Sequence, residues 1–146
     1  MISIQLAYGD VFDKLTILEI KLVRLTSQEA AARVGNELDL LRDQLEFRMP
    51  GWRLHQELVR LINDLRSVNG RLWNLENTVR TQLATEGVGL RFAETAGEIF
   101  ARNEQRARLK RSINLLLESP LCEEKEYAAS AASSLGIKLE AGGHLE

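Results

Sequence analysis

The sequence predicts an all-α protein built as an antiparallel bundle of four main helices. Its composition favours helices, since Leu, Ala, Glu and Arg dominate and the 146 residues include only 2 prolines and 5% aromatic side chains. Four segments carry apolar residues at alternating spacings of three and four, which is typical of long, coiled-coil-like helices packed lengthwise. Proline, glycine or a Thr-Ser pair separates these segments.

The first helix is expected to start near Asp10, whose carboxylate can cap the amide hydrogens of the first turn. Before it, residues 2–8 alternate apolar and polar side chains, which indicates a short extended segment ending at Gly9. One apolar seam follows the helix: Val11, Leu15, Leu18, Leu22 and Leu25. A second apolar side carries Phe12, Ile17, Ile20 and Val23. Such a helix is either buried centrally or covered by a second subunit, and we expect a homo-oligomer, with a dimer favoured.

The pair Thr26-Ser27 is expected to end the first helix and to cap the second, whose seam is Ala31, Val34, Leu38, Leu41 and Leu45. The Met-Pro-Gly run at 49–51 ends that helix, because proline disfavours helical geometry in the residue before it. The third helix has the longest seam: Leu54, Leu58, Leu61, Leu65, Val68, Leu72, Leu75 and Val79. From residue 54 to residue 83 it would span about 45 Å, although Gly70 costs it about 1 kcal/mol relative to alanine.

Residues 85–90 form a glycine-punctuated loop before the fourth helix, whose seam positions are Phe92, Ala96, Ile99, Asn103, Arg106, Lys110, Ile113 and Leu117. Ser119-Pro120 is expected to end this helix. Residues 1–127 should therefore form a single helical-bundle domain. Residues 128–146, rich in Ala, Ser and Gly, are expected to be a flexible tail, and its final Leu145-Glu146 resembles a tag remnant.

A polar band interrupts the apolar seams of the last two helices. The fourth helix turns polar at its centre and then becomes apolar again, which a solvent-facing stretch would not do, and the third helix has a similar interruption at a matching distance from the loop. The band comprises Asn69, Trp73, Glu76, Asn103, Arg106, Lys110 and Asn114, with Asp13 and Glu19 of the first helix as candidate partners.

If the band is structural, its cations are neutralised inside the bundle by Glu76 and by acids of the first helix such as Glu19. A polar layer of this kind fixes helix register at some cost in stability. We predict in particular that Arg106 faces inward and is coupled to Glu76, because both lie at comparable distances from the connecting loop.

If the band is instead a ligand site, Arg106, Lys110 and Asn103 would donate hydrogen bonds to a phosphate or carboxylate, and Trp73 would offer a stacking face. Nucleic-acid binding by the basic cluster at 102–111 is disfavoured, because the cluster lacks interleaved aromatic residues and a docking motif.

Several function classes lack their usual signals. The formal net charge of -2 gives no global attraction to nucleic acid or anionic membranes. Cys122 is the only cysteine, so no intrachain disulfide can form. We therefore expect a cytoplasmic setting, and we expect the thiol of Cys122 to be structurally dispensable. The amino terminus lacks signal-peptide features, and no apolar run approaches the ~18 residues of a membrane span. His55 and His144 show no metal-ligand spacing.

Catalytic signatures are also missing, because the chain has no phosphate loop, dinucleotide loop or nucleophile elbow. We therefore expect no metal, no cofactor and no catalytic residue. This pattern favours a non-enzymatic protein.

Three motifs and the short EEKEY stretch carry a resemblance to a known family. Asp13 to Lys21 reads Asp-Lys-x-Thr-Ile-Leu-x-Ile-Lys, Asn69 to Glu76 reads Asn-x-x-Leu-Trp-x-x-Glu, and Asn103 to Asn114 reads Asn-x-x-Arg-Ala-x-Leu-Lys-Arg-x-Ile-Asn. Over residues 3–127 the chain resembles a bacterial all-helical domain family of unknown function. That family is similar to segments found attached to, or near, glycosyltransferases and other proteins of surface-glycan assembly.

The resemblance implies a shared fold and an accessory role, without a cofactor or catalytic residue. The expected function is a helical interaction or scaffold domain that binds a second copy or another protein. The alternative is a domain that binds a small anion, such as a phosphate or a nucleotide sugar, through the polar band.

Overall fold

The structure, a computed structural model, describes residues 1–119, and all the regular structure within them is helical. The elements are α1 Tyr8–Arg24, α2 Gln28–Arg48, α3 Gln56–Thr85 and α4 Leu90–Leu116, with a 3-10 turn at Trp52–Leu54 between α2 and α3. The predicted all-α bundle of four main helices is confirmed. Within the described part of the chain, no helix has the length and apolar character needed to cross a membrane. The expectations for Cys122, His144 and the tail at 128–146 fall outside the described residues.

The first helix begins earlier than predicted. Ala7 occupies the N-cap position without a side-chain hydrogen bond, and Asp10 lies inside the first turn, so the prediction that Asp10 caps α1 is wrong. The amide hydrogens at a helix start need partners. Here α4 supplies one, since the backbone N–H of Gly9 donates to Oδ1 of Asn114 at 2.6 Å. A side chain of the neighbouring helix α4 therefore accepts a hydrogen bond that a capping side chain of α1 was expected to accept.

The second helix starts where the sequence predicts. The hydroxyl of Ser27 accepts a hydrogen bond from the N–H of Ala30 at 3.3 Å, which confirms the predicted cap. The helix ends at Arg48, before the Met-Pro-Gly run, and Gly51 adopts a left-handed φ of 75° that an L side chain rarely takes.

The third helix begins at Gln56 and not at Leu54. Its cap is His55, whose Nδ1 accepts a hydrogen bond from the N–H of Leu58 at 3.2 Å. Leu54 lies in the 3-10 turn with 85% of its surface exposed, so it is not a seam residue. The helix keeps the predicted length of 30 residues. The fourth helix ends at Leu116, just before the expected stop.

The first helix is the centre of the bundle, because it packs against α2, α3 and α4, while α3 and α4 pack against each other along their length. The helix α2 packs mainly on α1. Buried apolar side chains from all four helices and the 3-10 turn form one core: Phe12, Leu15, Leu18, Leu38, Leu45, Trp52, Leu58, Leu61, Ile62, Leu65 and Ile113. The expected central burial of α1 is confirmed for its first three turns.

The helices differ in length, so one end of the bundle is incompletely covered. The guanidinium of Arg24, the last residue of α1, donates to Oδ1 of Asn74 at 3.2 Å. From Asn74 the third helix continues to Thr85, about 16 Å further. Large apolar side chains are exposed at this end, which we call the bundle end: Leu22, Val23, Leu83, Val88 and Leu90.

Candidate functional site

A buried carboxylate on α1, that of Asp13, lies at the centre of the polar band. Arg106 on α4 donates two hydrogen bonds to it, from Nε to Oδ1 at 2.8 Å and from Nη2 to Oδ2 at 2.5 Å. Asn69 on α3 donates from Nδ2 to Oδ1 at 2.9 Å. Only 6% of Asp13 is exposed, so the guanidinium and the amide replace the water that the carboxylate loses. These three side chains join three helices at one point.

Thr16 completes this network one turn further along α1. Its hydroxyl accepts a hydrogen bond from Nδ2 of Asn69 at 2.8 Å and donates to the backbone carbonyl of Asp13 at 2.9 Å. The amide nitrogen of Asn69 therefore serves Asp13 and Thr16 together, and all three residues are buried. We call Asp13, Thr16, Asn69 and Arg106 the Asp13 network.

A second set of polar contacts joins the start of α1 to α4. Nζ of Lys110 lies 2.7 Å from the carboxylate of Asp10, and the Lys110 side chain is only 11% exposed. Beside this pair, the hydrogen bond between Gly9 and Asn114 brings the two backbones together. A Cβ atom on Gly9 would lie 2.4 Å from the carbonyl oxygen of Lys110, so only glycine fits this approach.

Two predicted pairings are corrected by these contacts. Arg106 faces inward as predicted, but its carboxylate partner is Asp13, while Glu76 lies 3.6 Å from Arg80 of its own helix. One reason is the position of these residues along the bundle axis. Asn69 lies level with Arg106, since both bind Asp13, and Glu76 lies seven residues or about 10 Å further along α3.

The second correction concerns Glu19, which binds Arg42 of α2 and Arg66 of α3 and so takes no part in the Asp13 network. Six residues turn a helix by about 240°, so Asp13 and Glu19 point to different sides of α1. Thr16 and Gly9 contribute to the contacts of α1 with α3 and α4, and neither role was predicted from the sequence. The signal for Thr16 was a polar residue between apolar ones at three-residue spacing from Asp13.

A cleft of about 260 Å³ opens beside the Asp13 network between α1, α3 and α4. It brings together most of the predicted polar band: Asn69, Trp73, Glu76, Asn103 and Arg106. Ile17, Ile20 and Leu72 form apolar parts of its wall, and Lys21, Asn77 and Arg80 complete the lining. Lys110 and Asn114 lie outside it, nearer the start of α1.

The chemistry available in this cleft is limited by pairs that the protein already forms. The guanidinium of Arg106 binds a buried carboxylate, so an anionic ligand would have to compete with Asp13. The side-chain amide of Asn103 donates to the backbone carbonyl of Ile99 in its own helix at 3.2 Å. Among residues 1–119, no cluster of three or more His, Cys, Asp or Glu side chains is placed to hold a metal ion.

Comparison with known proteins finds no matching family model, no matching curated protein and no matching solved structure.

Proposed function

We propose that this chain is a non-enzymatic helical interaction or scaffold domain. The observation that supports it best is the Asp13 network, in which the buried carboxylate of Asp13 is matched by side chains of the same chain. A site for a charged ligand needs charged groups or hydrogen-bond donors that the protein has not already paired. Here the polar band acts as a register device that holds α1, α3 and α4 together.

The surface that such a domain offers to a partner is the bundle end. Single exposed apolar residues are common on protein surfaces, but here several lie at the one end where α1 stops and α3 continues. Val23, Val88 and Leu90 each expose three quarters or more of their surface. Covering this end would remove apolar area from water, which drives association.

A second copy of this chain is the partner that we propose first. Glu76 and Arg80 lie four residues apart on α3, next to the bundle end, and both are exposed enough to reach another molecule. Across a two-fold axis with antiparallel α3 helices, Glu76 of each copy would face Arg80 of the other, so the surface is complementary to itself. A homodimer satisfies both the apolar residues and these charges.

The oligomeric state tests this proposal. Light scattering at a protein concentration of tens of micromolar should report a dimer, because a specific interface with a micromolar dissociation constant is largely occupied at that concentration. A variant with Leu83→Glu and Leu90→Glu should be monomeric, while the matched control Leu115→Glu, which alters an exposed leucine elsewhere on α4, should remain dimeric. A monomeric wild-type protein at that concentration would refute self-association, and a monomeric control would place the interface away from the bundle end.

A second candidate function is the binding of a small anion, of the phosphate or nucleotide-sugar type, in the cleft. It is supported by Trp73, which offers an aromatic face, and by three cationic side chains in the lining, Lys21, Arg80 and Arg106. A thermal-shift screen with nucleotide sugars tests it, because a ligand at 100 times its dissociation constant should stabilise the fold by about 2.7 kcal/mol. The absence of any shift would eliminate this candidate.

The proposed setting is the bacterial cytoplasm, in a role accessory to surface-glycan assembly. The compartment is supported by the single cysteine in the sequence, which excludes an intrachain disulfide, and the accessory role is supported by the family resemblance of the three motifs. Fractionation of cells that produce the chain at its natural level tests the compartment. Recovery in the periplasmic or membrane fraction would refute it.

A further inference from the structure

A second groove, separate from the cleft beside the Asp13 network, lies between α1, α2 and α3. Its volume is about 500 Å³, and three arginines and one glutamate contribute to its lining: Arg42, Arg53, Arg66 and Glu19. Three guanidinium groups and one carboxylate sum to +2, and the ion pair of Arg53 with Glu46 leaves one positive charge in excess of these two carboxylates. Among residues 1–119, no other charged side chain lines this groove.

Glu19 holds two of these arginines in place. Its Oε1 accepts a hydrogen bond from Nη2 of Arg42 at 3.3 Å, and its Oε2 lies 2.9 Å from Nε and 2.8 Å from Nη2 of Arg66. Arg66 also donates a hydrogen bond from Nη1 to Oδ1 of Asn63 at 2.5 Å. One carboxylate thus fixes two guanidinium groups side by side, although it can neutralise only one of them.

The arginines retain hydrogen-bond donors after these contacts. A guanidinium group carries five N–H donors. Arg42 makes a single hydrogen bond, from Nη2, among the residues that the structure describes, so its Nε and Nη1 remain available. Its other acidic neighbour, Asp39, lies 4.0 Å from Nη1, which is too far for a hydrogen bond, and is 76% exposed.

The lining also combines a third guanidinium group with an aromatic ring. The guanidinium carbon of Arg53 lies 4.4 Å from the centre of the Trp52 ring, which is a cation–π contact, and Nη1 of Arg53 binds Glu46 at 2.7 Å. Trp52 and Ile62 provide apolar wall beside the charged groups. At about 500 Å³, the groove is larger than a free phosphate ion needs and has space for an organic group attached to the phosphate.

We propose that this groove binds a phosphate group, either free or carried as a phosphate monoester. Arg42 and Arg66 would donate to the phosphate oxygens, since planar guanidinium groups match phosphate geometry and can bind it in bidentate fashion. Glu19 positions both groups without contacting the ligand, and Arg53 adds a third guanidinium group to the lining. The site is independent of the bundle end, so it stands or falls separately from the interaction function.

The competing explanation is an ordinary surface ion-pair cluster. Arg42 and Arg66 are each 40% exposed, and exposed pairs contribute little to stability. Such a cluster attracts phosphate weakly, without saturation and equally at any surface arginine. The two explanations therefore differ in saturation and in dependence on individual residues.

The test is a titration of the whole chain with inorganic phosphate at constant ionic strength, followed by the NMR signals of the arginine Nε–H groups. Saturable shifts are expected for Arg42 and Arg66. The substitution Arg42→Gln should weaken binding about tenfold, the loss of roughly one good charged hydrogen bond. Arg60→Gln is the matched control, because Arg60 lies on α3 outside the groove and pairs with Glu57 on the surface. It should leave binding unchanged.

Arg66→Lys provides a second variant, which keeps the charge but removes the forked donor and should weaken binding several-fold. A second arm replaces inorganic phosphate with glucose 1-phosphate. Tighter binding of the monoester would identify an organic phosphate as the ligand, and equal binding would identify the phosphate group alone. Shifts that rise linearly to the highest concentration, or equal affinities for the Arg42→Gln and Arg60→Gln variants, would overturn the proposal.

Discussion

Asp13 and Arg106 are 93 positions apart in the chain and form a bidentate ion pair between α1 and α4. The carboxylate side of this pair is 9% exposed and the guanidinium side is 29% exposed. A buried pair costs desolvation on both sides, so it adds little net stability over an apolar pair of the same shape. Its effect is on specificity, because a shift of α1 along α4 would separate both charges from their partners.

A double-mutant cycle on this pair should therefore show strong coupling. Arg106→Met should destabilise the fold by about 3–5 kcal/mol, because it leaves the Asp13 carboxylate buried without its cation. Adding Asp13→Asn should recover part of that loss, with a coupling energy on the order of 1–3 kcal/mol measured by urea unfolding. Glu76→Gln serves as the control and should change the free energy of unfolding by less than about 1 kcal/mol, as for other exposed pairs. Additive effects at Asp13 and Arg106 would contradict the register role.

The helices of this fold could be predicted from the sequence, whereas the pairing inside the polar band could not. Apolar spacing, the Ser27 cap and the Met-Pro-Gly run are local signals, so they locate helices without knowledge of their neighbours. The choice between Asp13, Glu19 and Glu76 as the partner of Arg106 depends on the rotation and height of α1 and α3 relative to α4. Those quantities are set by packing of the whole core and leave no local signature.

The start of α1 shows the same limit in the backbone. Asp10 has the chemistry of a cap, and nothing nearby in the sequence indicates that Asn114 supplies an acceptor from more than one hundred residues away. Glycine is common in loops, so the sequence alone gives no sign that Gly9 packs closely against α4. That approach is visible only once the two helices are placed together.

A pair of glycine substitutions should change stability in opposite directions. Gly9→Ala would bring Cβ to 2.4 Å from the carbonyl oxygen of Lys110, so α1 must move away from α4, and a loss of about 1–3 kcal/mol is expected for such overpacking. Gly97→Ala is the matched control. Gly97 lies in α4, a Cβ atom added there would have no neighbouring atom within 4 Å, and alanine stabilises a helix by about 1 kcal/mol relative to glycine. Thermal unfolding measures both, and a stable Gly9→Ala variant would show that α1 and α4 do not need this contact.

The histidine cap of α3 gives a third prediction. His55→Ala removes the Nδ1 acceptor from the Leu58 N–H, and the loss of a helix cap costs about 1 kcal/mol. His55→Asn restores a good capping side chain and should recover most of that stability. The free energy of unfolding in urea compares the two variants, and equal losses would show that the imidazole acts through packing instead of capping.

Charge exchange at the bundle end tests the arrangement proposed for the homodimer. Glu76→Arg alone would place two cations opposite each other across the two-fold axis, and Arg80→Glu alone would place two carboxylates there, so each single variant should dimerise more weakly. The double variant with both substitutions restores two opposite pairs and should recover the dimer, while the charges remain exposed and the monomer fold changes little. Sedimentation velocity at matched concentrations measures all three proteins. Single variants that dimerise like the wild type would exclude an antiparallel contact between the α3 helices, because that geometry brings like charges together in both of them.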